Sequence, residues 1–376
     1  MINRRRFLLA GIGGATLMTG GCGTGSVAKL TPIPVSGTPS ALIPGFDDPH
    51  RWAGRTVRVG AFGGEVQAAL NAALWQPFAA ATGCIVEGVT TDYSRLAEAV
   101  AERRPYADVL LIDAIWAESP QAAASLQPLR LGEIAPAAVA AFGGGDLSVP
   151  AFAYALVSAY RRDAISARTP PATWREWWDV RTFPGPRALA RTPFGTFEFA
   201  LIAAGVPPDT LYPLDSARAI EQLKKISGKV IDRWWDSGVE PVSWLGSDRA
   251  DFASAWHYRV AGGQRDGLAV DLVWNQGLVV ADRWGIPVFA REPEIGLDLV
   301  RYALTAEAQA ALARLIPLGP VNPAALALLE PQVIAMVPTA PANLPQLFRP
   351  DMAWWAANRG EATQRFNAWL LGKPGA

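Results

Sequence analysis

The sequence contains few of the residues on which metal binding and nucleophilic catalysis depend. Its 376 residues include two cysteines and two histidines. His50 and His257 each lack a second histidine nearby, so no zinc site is predicted. The motifs G-x-S-x-G and H-E-x-x-H are absent, and no Gly-Lys-Ser/Thr follows Gly63-Gly64 to make a phosphate loop. The sequence therefore predicts neither a metal centre nor a cofactor, and it offers no catalytic constellation.

The sequence also lacks an excess of charge of either sign. Lys and Arg equal Asp and Glu at 34 each, and charged residues make up 18% of the chain. A surplus of basic residues is needed to neutralise phosphates, so no nucleic-acid partner is predicted. Half of the residues are hydrophobic, which is not the composition of a disordered chain. The length fits two structural domains of ordinary size.

The first 22 residues have the pattern of an export signal. Arg4, Arg5 and Arg6 precede a weakly apolar stretch over residues 7–18, which is too short and too rich in glycine to span a membrane. The run from Asn3 to Leu8 resembles a twin-arginine signal, and a plain secretory signal is the alternative. Export to the periplasm is expected on either interpretation.

The run Thr19-Gly20-Gly21-Cys22 resembles a lipobox, in which the cysteine is acylated and anchors the protein to membrane lipid. Residues 23–54, rich in Gly, Pro, Ser and Thr, are then predicted to form a tether to the folded part. If Cys22 is acylated, Cys84 has no disulfide partner. Because Cys84 lies in a predicted apolar strand, it is interpreted as a buried, inert thiol.

The folded part begins with alternating strand and helix patterns. Strands are predicted over residues 56–62, 84–89 and 107–113, with helices over 65–82 and 93–103 between them. This βαβαβ order predicts a parallel sheet with helical crossovers. Ligands of such sheets bind beyond the carboxyl ends of the strands, where the turn at Gly63-Gly64 and the carboxylate of Asp113 are expected.

The rest of the chain continues the mixture of strands and helices. Predicted strands cover residues 148–160, 187–191, 252–260, 268–274 and 279–289. Predicted helices follow Thr173 and cover residues 196–204, 215–226, 292–315 in two pieces meeting at Thr305, and 351–371.

Carboxylates near the ends of predicted elements suggest a site for an amine. Asp113, Glu198 and Asp282 have such positions. An ammonium group needs carboxylates to replace its hydration, and aromatic faces add cation–π attraction. The aromatic residues around Asp282 in the sequence are Trp256, Tyr258, Trp274 and Trp284. Clustered tryptophans are more often part of a hydrophobic core, and the sequence leaves both interpretations open.

Several short segments together resemble a known family. They are residues 78–83 (FAAATG), 108–129, 183–189 (FPGPRAL), Glu198 with Ala200-Leu201 and residues 204–206, 256–259 (WHYR), 274–277 (WNQG), 319–322 (GPVN), and Trp354-Trp355 with Asn358, Arg365 and Trp369. Their order and spacing are similar to those of the extracellular solute-binding proteins of spermidine/putrescine-type ABC importers. The resemblance covers nearly the whole chain after residue 55.

The resemblance implies an α/β fold with two lobes, the type II periplasmic binding protein fold. Each lobe would be a mostly parallel sheet flanked by helices, with two to three segments crossing between the lobes. Residues 55–149 and 256–305 would form one lobe, and residues 150–255 and 306–376 the other. A small amine, such as putrescine or spermidine, would bind in the cleft, and hinge closure would present the monomeric protein to an inner-membrane permease.

Two residues carry over from the family by position, and one departs from it. Trp256 matches an aromatic residue that packs against the methylene chain of the ligand, and Asp282 matches an acid that pairs with a ligand amine. Arg259 stands where the best-known polyamine binders have Asp, and it would repel an ammonium group. Arg259 either pairs with Asp266, Asp271 or Asp282 and never meets ligand, or binds a ligand carboxylate through its guanidinium fork. The second alternative favours an ω-amino acid over a polyamine.

The complete set of predicted ligand-binding residues is Gly64, Glu65, Asp113, Tyr154, Glu198, Trp256, Arg259, Asn275, Gln276 and Asp282. The main hypothesis is a binding protein without catalysis. An enzyme on the same fold would need Glu198 and Asp113 as paired carboxylates in the cleft. A surface-anchored sensory protein is a further alternative, which the sequence does not separate from a transport function.

Overall fold

The fold is known from a computed structural model, which describes residue 43 and residues 45–129, 142–165 and 169–372. The predicted export signal, Cys22 and most of the predicted tether lie outside the described residues. Among the described residues, no helix combines the length and the apolar character that a membrane span requires.

Strands and helices alternate along the chain. The strands are β1 (Thr56–Ala61), β2 (Ile85–Thr90), β3 (Val109–Ile112), β4 (Ser148–Arg161), β5 (Arg187–Ala190), β6 (Ile231–Trp235), β7 (Phe252–Trp256), β8 (Val270–Gly285) and β9 (Leu347–Phe348). The α-helices are α1 (Gly64–Leu70), α2 (Gln76–Thr82), α3 (Tyr93–Ala101), α4 (Ala114–Ala117), α5 (Pro120–Ser125), α6 (Arg162–Ile165), α7 (Trp174–Trp177), α8 (Pro193–Ala203), α9 (Ser216–Lys224), α10 (Glu240–Gly246), α11 (His257–Arg265), α12 (Pro293–Ala303), α13 (Ala306–Leu315), α14 (Pro331–Ile334) and α15 (Met352–Leu370). A π-helical segment (Asn71–Trp75) joins α1 to α2, and short 3-10 turns cover Pro208–Thr210, Pro323–Leu328 and Leu344–Gln346.

The described strands form one sheet of nine, in the order β2-β1-β3-β8-β4-β7-β5-β6, with β9 paired to β8. β1 pairs in parallel with β2 and β3, as the βαβαβ pattern predicts. β5 pairs in parallel with β6 and β7 at the other end. β8 and β4 lie antiparallel to each other between these two parallel parts. The predicted α/β class, with a sheet flanked by helices, is confirmed, and the sheet is mixed because β8 pairs antiparallel with β3 and β4.

Two large groups of buried side chains lie along this sheet. The first core contains Val57, Phe78, Val109 and Trp284 among others. The second core contains Trp174, Phe199, Phe252 and Trp355 among others. The long strands β4 and β8 contribute residues to both cores, because β4 has Phe152 in the first and Tyr160 in the second. These two strands therefore connect the cores.

The division into two lobes with boundaries near residues 150, 255 and 306 stays a prediction. Val260 and Val270 belong to the second core. Leu312 and Ile316 belong to the first core. These placements favour a second boundary beyond residue 270 and a third beyond residue 316.

The predicted strand over residues 252–260 is wrong in its second half. The strand β7 ends at Trp256, and α11 begins at His257. Aromatic and β-branched residues favour extended backbone locally. However, the Nδ1 atom of His257 accepts a hydrogen bond from the Ala155 backbone N–H at 3.0 Å, so a side chain occupies the position of the next strand pair. The predicted strands 268–274 and 279–289 are likewise one strand, β8.

Candidate ligand-binding site

A cavity of about 530 Å³ lies where the two cores meet. Its wall includes Leu111 and Phe152 from the first core, and Phe194 and Trp256, which pack against the second. Tyr154 lines the cavity and contacts both cores. The volume falls within the range of about 300–1,000 Å³ typical of small-molecule sites. The carboxyl ends of β1 and β3 open into this cavity, as the sheet topology predicts.

The turn between β1 and α1 forms one part of the wall through Gly63 and Gly64. Gly63 has φ 87° and Gly64 has φ 65°, in the left-handed region where a side chain causes strain. A Cβ atom on either residue would have no heavy atom within 4 Å, so backbone conformation, and not crowding, requires glycine here. The exposed backbone of the turn can therefore contact a ligand closely.

Asp113 follows β3, lines the cavity and caps α4. Its Oδ1 atom accepts hydrogen bonds from the backbone N–H groups of Ile115 at 3.1 Å and Trp116 at 2.9 Å. Its Oδ2 atom accepts a hydrogen bond of 2.6 Å from the Tyr93 hydroxyl. These contacts fix the carboxylate in place, and its negative charge acts on the neighbouring cavity.

Asp282 lies on β8, 7% exposed, in the wall of the same cavity. Its Oδ1 atom accepts a hydrogen bond of 2.8 Å from the Tyr154 hydroxyl. Burial raises the pKa of the Asp282 carboxyl to about 8; the hydrogen bond from Tyr154 opposes this rise, and the charge of Asp113 adds to it. The group is therefore largely protonated at neutral pH, and a cation in the cavity would favour its ionised form.

Trp256 is the last residue of β7 and presents its ring beside Tyr154. The two ring centroids are 5.1 Å apart at 69°, an edge-to-face contact. The ring centroid of Trp256 is also 6.4 Å from that of Trp235. A Cβ atom on Gly238 would lie 2.8 Å from the Trp256 ring, so this glycine leaves room for it. The ring is thus held by packing and is suited to contact a methylene chain or a cation.

Arg259 lines the cavity from the first turn of α11. Its Nη1 atom is 2.9 Å from the Glu65 Oε2 atom on α1. Its guanidinium also lies over the Tyr258 ring, 5.2 Å from the centroid. The Nε atom is buried and has no hydrogen-bond partner among the described residues. The sequence suggested Asp266, Asp271 or Asp282 as the partner of Arg259. The structure instead pairs Arg259 with Glu65, which lies beside the cavity.

Four predicted residues do not line the cavity: Glu65, which pairs with Arg259, and Glu198, Asn275 and Gln276, which have partners elsewhere. Glu198 is fully buried and hydrogen-bonded to Tyr212 and Trp355. The Asn275 side chain donates to the Ala172 carbonyl at 2.9 Å, and the Gln276 Oε1 atom accepts from the Trp174 backbone N–H at 3.0 Å. Asn275 and Gln276 thus bind the backbone at the start of α7 and fix its position. The ligand role stays a prediction for the six predicted residues that line the cavity, which are Gly64, Asp113, Tyr154, Trp256, Arg259 and Asp282.

The lining residues that were not predicted include Phe152, Phe194, Met352 and Arg359. Met352 and Arg359 are seven residues apart in α15, a spacing that places them on one helix face. Arg359 is exposed and forms no ion pair with a described residue. Periodicity in the sequence indicates that the two residues share a face, but not that this face meets the cavity.

The geometry gives little support to a catalytic site. Within the described ranges, no group of three or more His, Cys, Asp and Glu side chains could hold a metal ion. Asp113 lines the cavity, whereas Glu198 lies in a separate buried network, so the two do not form the carboxylate pair that an enzyme would need. The cavity contains a buried carboxyl, a guanidinium and aromatic faces. This combination is suited to bind a charged solute.

The chain is similar to one family of known proteins and to several individual proteins. The family described as bacterial extracellular solute-binding protein matches residues 54–342. A gamma-aminobutyric acid-binding protein from Pseudomonas aeruginosa is 29% identical over 330 residues, which is 84% of this chain and 91% of that protein. The solved structure of a GABA receptor has a TM-score of 0.77 and 29% identity, covering 84% of this chain and 97% of that chain. A spermidine/putrescine-binding periplasmic protein from Salmonella typhimurium is 25% identical over 190 residues, 50% of this chain and 53% of that protein.

Proposed function

The chain belongs to the bacterial extracellular solute-binding proteins, and from this premise we propose that it is the substrate-binding component of an ABC importer for a small ω-amino acid such as γ-aminobutyrate. The observation that carries the proposal is that Asp282 and Arg259 line one cavity. The ligand amine would pair with the first and the ligand carboxylate with the second. The filled protein would deliver the ligand to an inner-membrane permease. No catalytic step is proposed.

The charges around the cavity favour a zwitterion over a diamine. Arg259 and Arg359 both line the cavity, and Glu65 pairs with the first of them. A diamine would bring two positive charges close to these guanidinium groups and be repelled. An ω-amino acid brings one charge of each sign, so it can ionise Asp282 while its carboxylate binds a guanidinium. The likeness to a gamma-aminobutyric acid-binding protein over most of both chains supports the same choice.

A polyamine such as putrescine or spermidine is the second candidate. Two carboxylates, Asp113 and Asp282, line the cavity beside Trp256, and two carboxylates suit a ligand with two amines. The partial likeness to a spermidine/putrescine-binding protein also supports this candidate. For this ligand to bind, the charge of Arg259 would have to remain neutralised by Glu65.

Export to the periplasm, lipid anchoring through Cys22 and a monomeric state are proposed on the sequence pattern and the family resemblance. We also propose that the protein closes around its ligand by a hinge motion of two lobes. The long strands β4 and β8, which connect the two cores, are the expected hinge region.

A ligand panel tests the proposed function. The protein from residue 23 onward is screened by thermal shift, then by titration calorimetry, against γ-aminobutyrate, 5-aminovalerate, putrescine, spermidine and butyrate. A ligand at 100 times its Kd stabilises a fold by about 2.7 kcal/mol, enough for a visible rise in Tm. We expect stabilisation by the ω-amino acids alone. A response to putrescine and spermidine without one to γ-aminobutyrate would replace this function with polyamine binding.

Replacement of Arg259 by glutamine is expected to weaken γ-aminobutyrate binding by about 10- to 100-fold, because a charge-assisted hydrogen bond to the carboxylate is lost. Affinity for putrescine should be unchanged or higher, since Glu65 loses its cationic partner. Arg265→Gln on the same helix is the matched control, because Arg265 pairs with the Leu315 carbonyl and does not line the cavity. Equal binding of γ-aminobutyrate by both variants would contradict the assigned role.

The affinity of the unmodified protein for its amine ligand is expected to rise with pH up to about 8. Since burial raises the pKa of Asp282 to about 8, a proton must leave this carboxyl when an ammonium group binds at lower pH. Linkage then predicts a gain of up to about tenfold per pH unit below that value and a plateau above it. Calorimetry in buffers of different ionisation enthalpy measures the released proton directly. An affinity that stays constant from pH 6 to 9 would show that Asp282 does not pair with the ligand amine.

A further inference from the structure

Glu198 lies outside the cavity, yet its carboxyl connects two parts of the cavity wall. The side chain is fully buried in α8. Its Oε1 atom accepts hydrogen bonds from the Tyr212 hydroxyl at 2.6 Å and from the Trp355 Nε1–H at 2.8 Å. Its Oε2 atom accepts from the Gly195 backbone N–H at 2.8 Å. Both carboxyl oxygens are thus engaged with groups on three different segments of the chain.

Two of these partners adjoin residues of the cavity wall. Gly195 follows Phe194, and it has φ 78°, a conformation that interrupts the helical geometry at the start of α8. Trp355 lies on α15 between Met352 and Arg359. The Phe194 ring packs edge-to-face on Trp355 with centroids 5.3 Å apart. The Glu198 carboxyl therefore joins the segment that carries Phe194 to the helix that carries Arg359.

A buried carboxyl at this position is energetically less favourable than an apolar side chain that fills the same space. Burying a carboxyl is unfavourable unless hydrogen bonds compensate, and apolar replacements of buried polar networks are often as stable. A carboxyl does offer two separate acceptor atoms in one plane, which can hold two backbone segments at a defined distance and angle. Such a network is suited to orient the wall more than to stabilise the fold.

We propose that Glu198 is a positioning residue, which holds Phe194 and Arg359 in the cavity wall so that Arg359 binds the ligand carboxylate together with Arg259. The inference rests on the proposed function, because it assigns a carboxylate-binding role to a residue of the same site. Glu198 acts through α15 and does not touch the ligand.

The test is a double-mutant cycle of Glu198→Gln and Arg359→Gln, read as affinity for γ-aminobutyrate. Glutamine keeps one acceptor oxygen for Tyr212 and Trp355, but its amide N–H groups face the Gly195 N–H, so that contact is lost. Each single variant is expected to bind about tenfold more weakly than the unmodified protein. The double variant should bind about as weakly as either single one, because the second change removes a contact already lost.

A role in stability alone would not produce this coupling. Leu223→Ala on α9 serves as the destabilised control, because Leu223 is buried in the second core and does not line the cavity. It should lower Tm without changing affinity. Trp355→Phe removes the Nε1–H donor together with part of the buried indole ring, and it should repeat the coupling if Glu198→Gln does not fold.

Additive losses in the cycle, or unmodified affinity in Glu198→Gln and Trp355→Phe, would overturn the positioning role while the proposed function stands. Failure of the unmodified protein to bind any ω-amino acid would overturn both. The first result concerns the variants and the second the unmodified protein, so the two failures are distinguishable.

Discussion

Asparagine in place of Asp282 is expected to weaken binding of the amine ligand by about 100-fold or more. Removing one partner of a buried, hydrogen-bonded charge pair costs about 2–5 kcal/mol of binding free energy. Asparagine keeps the size of the side chain and an oxygen that accepts the hydrogen bond from Tyr154, but it cannot ionise when an ammonium group enters. The measurement is titration calorimetry with γ-aminobutyrate at pH 8, where the carboxyl of the unmodified protein is about half ionised.

The same variant should leave the ligand-free protein as stable as before, or more so. Because burial raises the folded-state pKa of Asp282 to about 8, the folded state binds a proton that the unfolded state releases at a much lower pH. This carboxyl therefore favours folding at acid pH, and its contribution is lost as pH rises through 8. The Asp282→Asn variant has no group that titrates at this position, so its Tm should exceed that of the unmodified protein above pH 8.

Asp271→Asn is the matched control for this experiment. Asp271 lies on the same strand, β8, and accepts a hydrogen bond from Gln264 at 3.1 Å without lining the cavity. Its replacement should change affinity less than about threefold, as is usual for sites without ligand contact. If Asp282→Asn binds the ligand within threefold of the unmodified protein, the amine is not recognised at Asp282 and the proposed site is wrong.

Replacement of His257 by phenylalanine is expected to lower the free energy of unfolding by about 2–5 kcal/mol. The His257 ring is fully buried, and its Nδ1 atom accepts from the Ala155 N–H at 3.0 Å. Its Nε2 atom lies 2.8 Å from the Pro317 carbonyl oxygen, to which it donates in this tautomer. Phenylalanine fills the space but leaves a buried N–H and a buried carbonyl without partners. Urea unfolding at pH 7 measures the loss.

The acid dependence of unfolding separates this role from simple packing. Burial lowers the pKa of His257 to about 4, and the hydrogen bond to the Pro317 carbonyl opposes that shift. The neutral ring therefore stabilises the fold fully above pH 6.5, and about 3 kcal/mol of this stabilisation is lost as pH falls from 6.5 through 4. The His257→Phe variant should lack this loss.

His50→Phe is the matched control, since His50 is exposed and does not line the cavity. It should leave the urea midpoint nearly unchanged. A His257→Phe protein as stable at pH 7 as the His50→Phe protein would show that the two backbone groups find other partners. The bridging role of His257 would then be wrong.

Local patterns in the sequence were enough to predict much of the fold. The alternation of strand and helix over residues 56–113 predicted β1, β2 and β3 as parallel strands, and they pair in this way. Gly83 adopts the left-handed conformation expected of a glycine that ends a helix. Thr305 caps α13 at the predicted break in the long helical pattern. These signals are local, because capping and periodicity depend on residues only a few positions apart.

Other elements were missed or misplaced for an identifiable reason. The helix α11 begins inside a segment whose aromatic residues favour a strand, because His257 bonds to Ala155, about 100 positions earlier in the chain. The strand β6 and the helix α10 had no clear pattern of their own, and their burial comes from packing against the second core. Tertiary contacts thus decided which secondary structure a segment adopts where its local preferences are weak.

For the candidate site, the sequence by itself determined which residue types were available and where strand ends would gather them. Asp113 and Asp282 were predicted from their positions near the ends of predicted elements, and Trp256 and Arg259 from the family resemblance; all four line one cavity. Only the tertiary structure decided that Arg259 pairs with Glu65, that Arg359 joins the wall and that Glu198 lies behind it. Such contacts join segments more than 100 residues apart, as Glu198 and Trp355 are. No local sequence pattern predicts these contacts, because they depend on how the sheet and its helices pack together.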